Sequence, residues 1–114
     1  MGARVSPSVI GTHLLAGRPL TVEVTAKDGD TGGAPARVGG ALRLVEGPCF
    51  PPGFDQDSIP VFNTNTAVVA IDAVRDGVEL EWLYVEKQVE GRAAVQLERL
   101  YHELSARVPT TYLV

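Results

Sequence analysis

The chain is short of cysteine and of positive charge, and each shortage removes a class of function. Cys49 is the single cysteine in 114 residues, so an intramolecular disulfide and a cysteine-based metal site are both excluded. It stands between Pro48 and Phe50 and reads as an inert small apolar residue rather than a nucleophile. Ten Lys and Arg against fourteen Asp and Glu give a net charge of −4. The basic residues are scattered, whereas phosphate neutralisation needs them clustered, so nucleic acid is not expected as a partner. No apolar run approaches the roughly 20 residues of a membrane span, and no charged n-region precedes an apolar one at the start. No membrane partner is expected, and a cytoplasmic location follows by default. Met1-Gly2-Ala3-Arg4-Val5-Ser6 fits the N-myristoylation pattern, which is short and often met by chance.

With 45% apolar and 21% charged residues, the composition is that of an ordinary globular domain, and the length allows one modest core. Ser6-Pro7-Ser8 opens a short helix, with Val9, Ile10, Leu14 and Leu15 available for one face. His13 lies on or beside it, with no partner carboxylate nearby in sequence, and reads as structural. From Leu20 to Lys27 the chain alternates apolar and polar residues, the period of a strand with one face buried. Asp28 and Asp30 imitate the start of a calcium loop, but Gly39 occupies the twelfth position, where a bidentate glutamate is needed. Ala36-Arg37-Val38 and Ala41 to Val45 flank Gly39-Gly40 as a hairpin. Ile71 to Val74 predicts a short helix stopping at Gly77, and Leu80 to Val89 is strand-like, with Lys87 a surface lysine. Val95 to Ala106 predicts the best helix, because Leu97, Leu100, Tyr101, Leu104 and Val108 recur at three- and four-residue steps. On its outer face Glu98 and His102, like Arg99 and Glu103, would be helix-surface pairs rather than a metal site. Thr110 to Val114 is a final strand after Pro109.

The most informative stretch is Val61-Phe62-Asn63-Thr64-Asn65-Thr66, directly before the apolar run Ala67 to Ala70. Two carboxamides and two hydroxyls where a buried strand surfaces suit two roles. They can hydrogen-bond their own turn, or present donors and acceptors to a polyhydroxylated ligand. Glu46, at a strand end before Gly47-Pro48, reads on its own as an exposed turn residue, although a carboxylate there can accept from two sugar hydroxyls.

Phe62-Asn63-Thr64-Asn65-Thr66 resembles the Phe-Asn-Thr-Asn-Asn segment of the UTP–glucose-1-phosphate uridylyltransferases, also called UDP-glucose pyrophosphorylases. Glu23-Val24-Thr25-Ala26-Lys27 followed by Gly32-Gly33 is similar to that family's Glu-Val-Thr-x-Lys and Gly-Gly segment, and Val95-Gln96-Leu97-Glu98 resembles its Val-Ile-Gln-Leu-Glu. The motifs agree in order and spacing, with Glu46 between the first and second, and cover most of the chain.

The order of elements points to an α/β protein with a mixed sheet. The resemblance implies more: residues 1–114 would be a partial catalytic domain truncated at both ends. They would form the second half of a nucleotide-diphospho-sugar transferase domain of glycosyltransferase-A-like, Rossmann-like kind, with Gly2 interior to a longer chain and the missing half of the domain as a partner. The implied reaction is uridylyl transfer from UTP to glucose 1-phosphate with release of pyrophosphate, assisted by Mg2+ whose ligands are not in this chain. The substrate-binding residues implied are Glu46, Asn63 and Asn65 on the glucosyl hydroxyls and Gly32 and Gly33 allowing close approach of the sugar, with no catalytic residue identified. The family's Gly-rich nucleotide loop, its Asp-Asn pair and its basic Arg-Phe-x-Pro-Val-Lys segment are not found, so the chain alone is expected to be inactive and to be poorly stable or self-associated. Thr66 replaces the second Asn of the family's pair, which bears on sugar preference. Thr31 stands where many members carry Lys, which bears on phosphate binding. Two other readings fit: a UDP-N-acetylhexosamine pyrophosphorylase, and a non-catalytic sugar-binding fragment.

Overall fold

Leu20–Ala26, strand β1, is the centre of the assembly. The computed structural model describes residues 6–30 and 32–114; the myristoylation pattern at Gly2 and the substitution at Thr31 fall outside them. β1 is flanked on one side by β4, Val61–Val69, antiparallel, and on the other by β7, Thr110–Leu113, parallel. The alternation in β1 sends Leu20, Val22 and Val24 into the core, where they cluster with Leu44 and Leu104. Thr21, which the period assigns to the opposite face, is also fully buried. Helix α1, Pro7–Ala16, accounts for that. It packs Val9 and His13 toward the sheet, and His13 Nδ1 lies 3.0 Å from Thr21 Oγ1. Leu14 and Leu15, expected on the packed face, are instead 72% and 92% exposed, because the i, i+4 pair Val9 and His13 defines the buried stripe.

Two hairpins stand beside this sheet, β2 (Ala34–Val38) with β3 (Ala41–Val45), and β5 (Leu83–Val89) with β6 (Arg92–Glu98). The first turns on Gly39-Gly40, both at positive φ, the geometry that a two-residue hairpin loop requires. It is attached to the core by Leu44 and by its backbone: Leu44 N–H donates to Ser105 Oγ at 2.8 Å. Ser105 belongs to the short helix α2, Leu104–Arg107.

The second hairpin overturns the helix expected over Val95–Ala106. Glu90 and Gly91 both take positive φ and turn β5 back onto β6, with Tyr84 opposite Leu97 and Glu86 opposite Val95. The three- and four-residue apolar steps coexist with this turn, and cross-strand pairing prevails as far as Glu98. Only a 3-10 turn, Tyr101–Glu103, and α2 remain helical. The two expected helix-surface pairs are therefore absent: Arg99 lies over the Trp82 ring at 4.2 Å, and Glu103 Oε2 accepts from Glu81 N–H. Ile71–Ala73 is likewise a single 3-10 turn.

The Rossmann-like half-domain is not what forms. A doubly wound sheet is built from successive parallel strands joined by helical crossovers. Here β1 and β7 are the only parallel pair among the described residues, and the remaining strand pairs are antiparallel. The result is a small mixed α/β unit, mostly strands in small sheets, with two helices. None of its described helices is long and apolar enough to cross a membrane.

Candidate functional site

The polar stretch Asn63-Thr64-Asn65-Thr66 occupies a bulge inside β4. Val22 pairs with Ala67 and Val24 with Asn63, so Glu23 alone faces the three residues Thr64, Asn65 and Thr66. The surplus residues cannot stay in the ladder, and the strand is forced outward, as bulges beside binding sites commonly do. Asn65 takes up the strain at φ 62, in the left-handed region that Asn tolerates better than other side chains. Thr64 anchors the bulge by donating its hydroxyl to Glu23 O at 3.0 Å and accepting from Thr66 N–H.

Within the bulge, Asn63 is committed to holding Asn65. Its Oδ1 accepts from Asn65 N–H at 3.1 Å and its Nδ2 donates to Asn65 Oδ1 at 3.0 Å. Asn63 is buried and Asn65 exposed. Asn65 Nδ2 has no partner among the described residues and is the carboxamide donor left facing outward.

The cluster continues through backbone. Asn63 N–H donates to Gly33 O at 2.8 Å, which ties the Gly-Gly loop to the start of the bulge. Gly33 in turn lies against Glu46: a Cβ on Gly33 would sit 2.7 Å from Glu46 Oε1. Gly32 lies beside the Phe62 ring. Gly33, Glu46, Asn63 and Asn65, named from sequence, thus form one chain of contacts, and Gly32 borders it.

Sequence reasoning missed the residues behind them. His102 Nδ1 lies 3.2 Å from Glu46 Oε1, and the imidazole is 8% exposed. Burial holds its pKa below the ordinary histidine range, against the pull of Glu46 and Glu103. Its neighbour Tyr101 buries a hydroxyl beside Asn63 without a hydrogen bond of good geometry. Burial and then Glu46 raise that phenol's pKa, with Asn63 opposing. No local pattern marks either residue, because their partners are distant in sequence. The turn at Glu90-Gly91 was the available signal that this segment was not a continuous helix.

A groove of about 1040 Å³ reaches Glu46 and His102 and is walled by Arg37, Arg43, Phe50 and Phe54. It does not reach Gly33, Asn63 or Asn65, so Glu46 sits where the groove meets the bulge cluster. Cys49 also borders it, and burial followed by Glu46 and Glu103 raises the thiol's pKa. That shift favours the protonated thiol, a weak nucleophile. Lys27 is occupied elsewhere, holding the Asp55–Ser58 loop through Gln56 O at 2.8 Å and Asp57 at 3.2 Å. Among the described residues no three His, Cys, Asp or Glu are grouped to hold a metal ion.

Compared with protein-family models and with curated proteins, the chain matches none.

Proposed function

We propose that this chain supplies the sugar-binding part of a uridylyltransferase that makes UDP-glucose and pyrophosphate from UTP and glucose 1-phosphate. The observation that carries this reading is the contact chain from Asn65 through Asn63 and Gly33 to Glu46. Three residues named for hydroxyl recognition, Glu46, Asn63 and Asn65, and one named for close approach, Gly33, are joined by successive contacts. Their chemistry suits a hexose: Glu46 supplies acceptors and Asn65 Nδ2 a donor, and the missing side chain at Gly33 leaves space that the Glu46 carboxylate itself occupies. Several placed donors and acceptors also confer specificity, because an epimer leaves buried polar groups unpaired.

In uridylyl transfer an oxygen of the sugar phosphate attacks the α-phosphorus of UTP, and the bond to the departing pyrophosphate breaks. What Glu46 and Asn65 contribute is alignment: by fixing the hexose they fix the direction of attack. In a completed enzyme, Glu46→Ala and Asn65→Ala should each remove about 1–3 kcal/mol of transition-state stabilisation. Kinetics with glucose 1-phosphate varied at saturating UTP measure this. Unchanged turnover and unchanged KM in both variants would take these residues out of the site.

A further inference from the structure

The β5–β6 hairpin is a sheet of its own, paired with no other strand among the described residues. A two-stranded ribbon is marginal in water until a further strand or an apolar covering completes it. Tyr84 and Leu97 are cross-strand partners, Val95 shares their face, and each of the three is more than half exposed. The turn fixes which backbone groups point outward. The two-residue loop Glu90-Gly91 closes on a hydrogen-bonded pair, Val89 with Arg92. Bonded and non-bonded pairs alternate from there, so Ala93, Val95 and Leu97 turn their N–H and C=O away from β5, along the outer edge of β6. No backbone hydrogen bond from elsewhere in the described chain reaches them.

We infer that this edge is an interface with a second copy of the chain, β6 pairing antiparallel with its counterpart about a two-fold axis at Val95. Charge selects the register. Centred on Val95, the pairing sets Ala93 opposite Leu97 and Arg92 of each chain opposite Glu98 of the other. The outward-facing residues then meet as hydrogen-bonded pairs, and the opposite charges fall at the alternate positions, where side chains come closer. Moving the axis by one residue, to Ala94 or Gln96, loses both charge pairs. Arg92 is exposed and forms no ion pair among the described residues, and Glu98 stands on the same face, 3.9 Å from Lys87. The edge of β5 offers no such match, since pairing about its own central outward residue would oppose Glu86 to Glu86. An isologous contact closes on itself, so association ends at a dimer. The inference is independent of the sugar-binding reading.

Sedimentation equilibrium on the full chain over a concentration series tests this with Val95→Pro, Arg92→Glu and Glu98→Arg. The wild type is expected to reach a dimer and no larger species. Val95→Pro takes away an outward N–H and no hydrogen bond within the hairpin, and should weaken dimerisation at least about tenfold. Arg92→Glu and Glu98→Arg each oppose like charges on both sides of the axis, and each alone should weaken it by a similar factor. Mixed in equal amounts, these two variants should form a heterodimer within about threefold of wild-type affinity, because both charge pairs are restored. A folding defect cannot produce that rescue, so the mixture decides if Val95→Pro fails to fold. A monomeric wild type, larger assemblies, or a dimer that none of the substitutions weakens overturns the interface. So does a mixture that associates no more tightly than either variant alone.

Discussion

Replacing Gly33 with Ala is expected to weaken glucose 1-phosphate binding by at least about tenfold and to destabilise the fold by about 1–3 kcal/mol. The added methyl carbon would stand 2.7 Å from Glu46 Oε1, 3.1 Å from its Cδ and 3.2 Å from Val45 O. The carboxylate ends a flexible side chain and can retreat, but the carbonyl belongs to the backbone where β3 ends and has much less freedom. Retreat moves Oε1 away from its 3.2 Å approach to His102 Nδ1, and crowding against the Val45 carbonyl is where the stability loss arises. Denaturant unfolding beside ligand titration separates the two effects. Wild-type affinity in Gly33→Ala would mean that the position of Glu46 is irrelevant to the ligand.

The largest effect on stability is expected at Leu20. Its side chain is completely buried, and its backbone lies between Val69 of β4 and Thr110 of β7. Leu20→Ala removes apolar atoms from the middle of the core and leaves a cavity that neighbours on both flanking strands cannot readily fill. A loss of about 2–5 kcal/mol is expected, which is a large share of the total stability of a domain this size. Leu15→Ala, at a residue 92% exposed, should change stability by less than about 0.5 kcal/mol. Urea midpoints measure both. A Leu20→Ala variant as stable as Leu15→Ala would contradict β1 as the centre of the core.

What could be read from the sequence depended on how local its physical cause was. β1 was legible because two-residue alternation and a β-rich composition agree over its whole length. The β2–β3 hairpin was legible because Gly39-Gly40 can adopt a conformation that few other pairs tolerate. Glu46, Asn63 and Asn65 stood out by chemistry. Their connection did not, since it runs through a backbone bulge fixed only by pairing with β1. Val95 to Glu98 was misread because its apolar spacing satisfied a helix. Pairing with β5 through the Glu90-Gly91 turn is a non-local alternative that a helical period does not reveal. The same non-locality hid His102, which an outward-facing helix position paired with Glu98 and which the fold gives to Glu46. The order of elements pointed only to a mixed α/β sheet; the Rossmann-like expectation came from the resemblance, which does not fix strand direction in this chain.

The most direct test of the account is a titration of the chain with glucose 1-phosphate, observed at the backbone amide of Gly33, the side-chain amides of Asn63 and Asn65, and the imidazole of His102. The account predicts saturable shifts at all four residues with one common dissociation constant, and smaller shifts along the exposed β5–β6 hairpin. It also predicts that the four respond together because Asn65, Asn63, Gly33, Glu46 and His102 are in sequential contact. Saturable binding that leaves these four signals unmoved, or no binding at all, would contradict it.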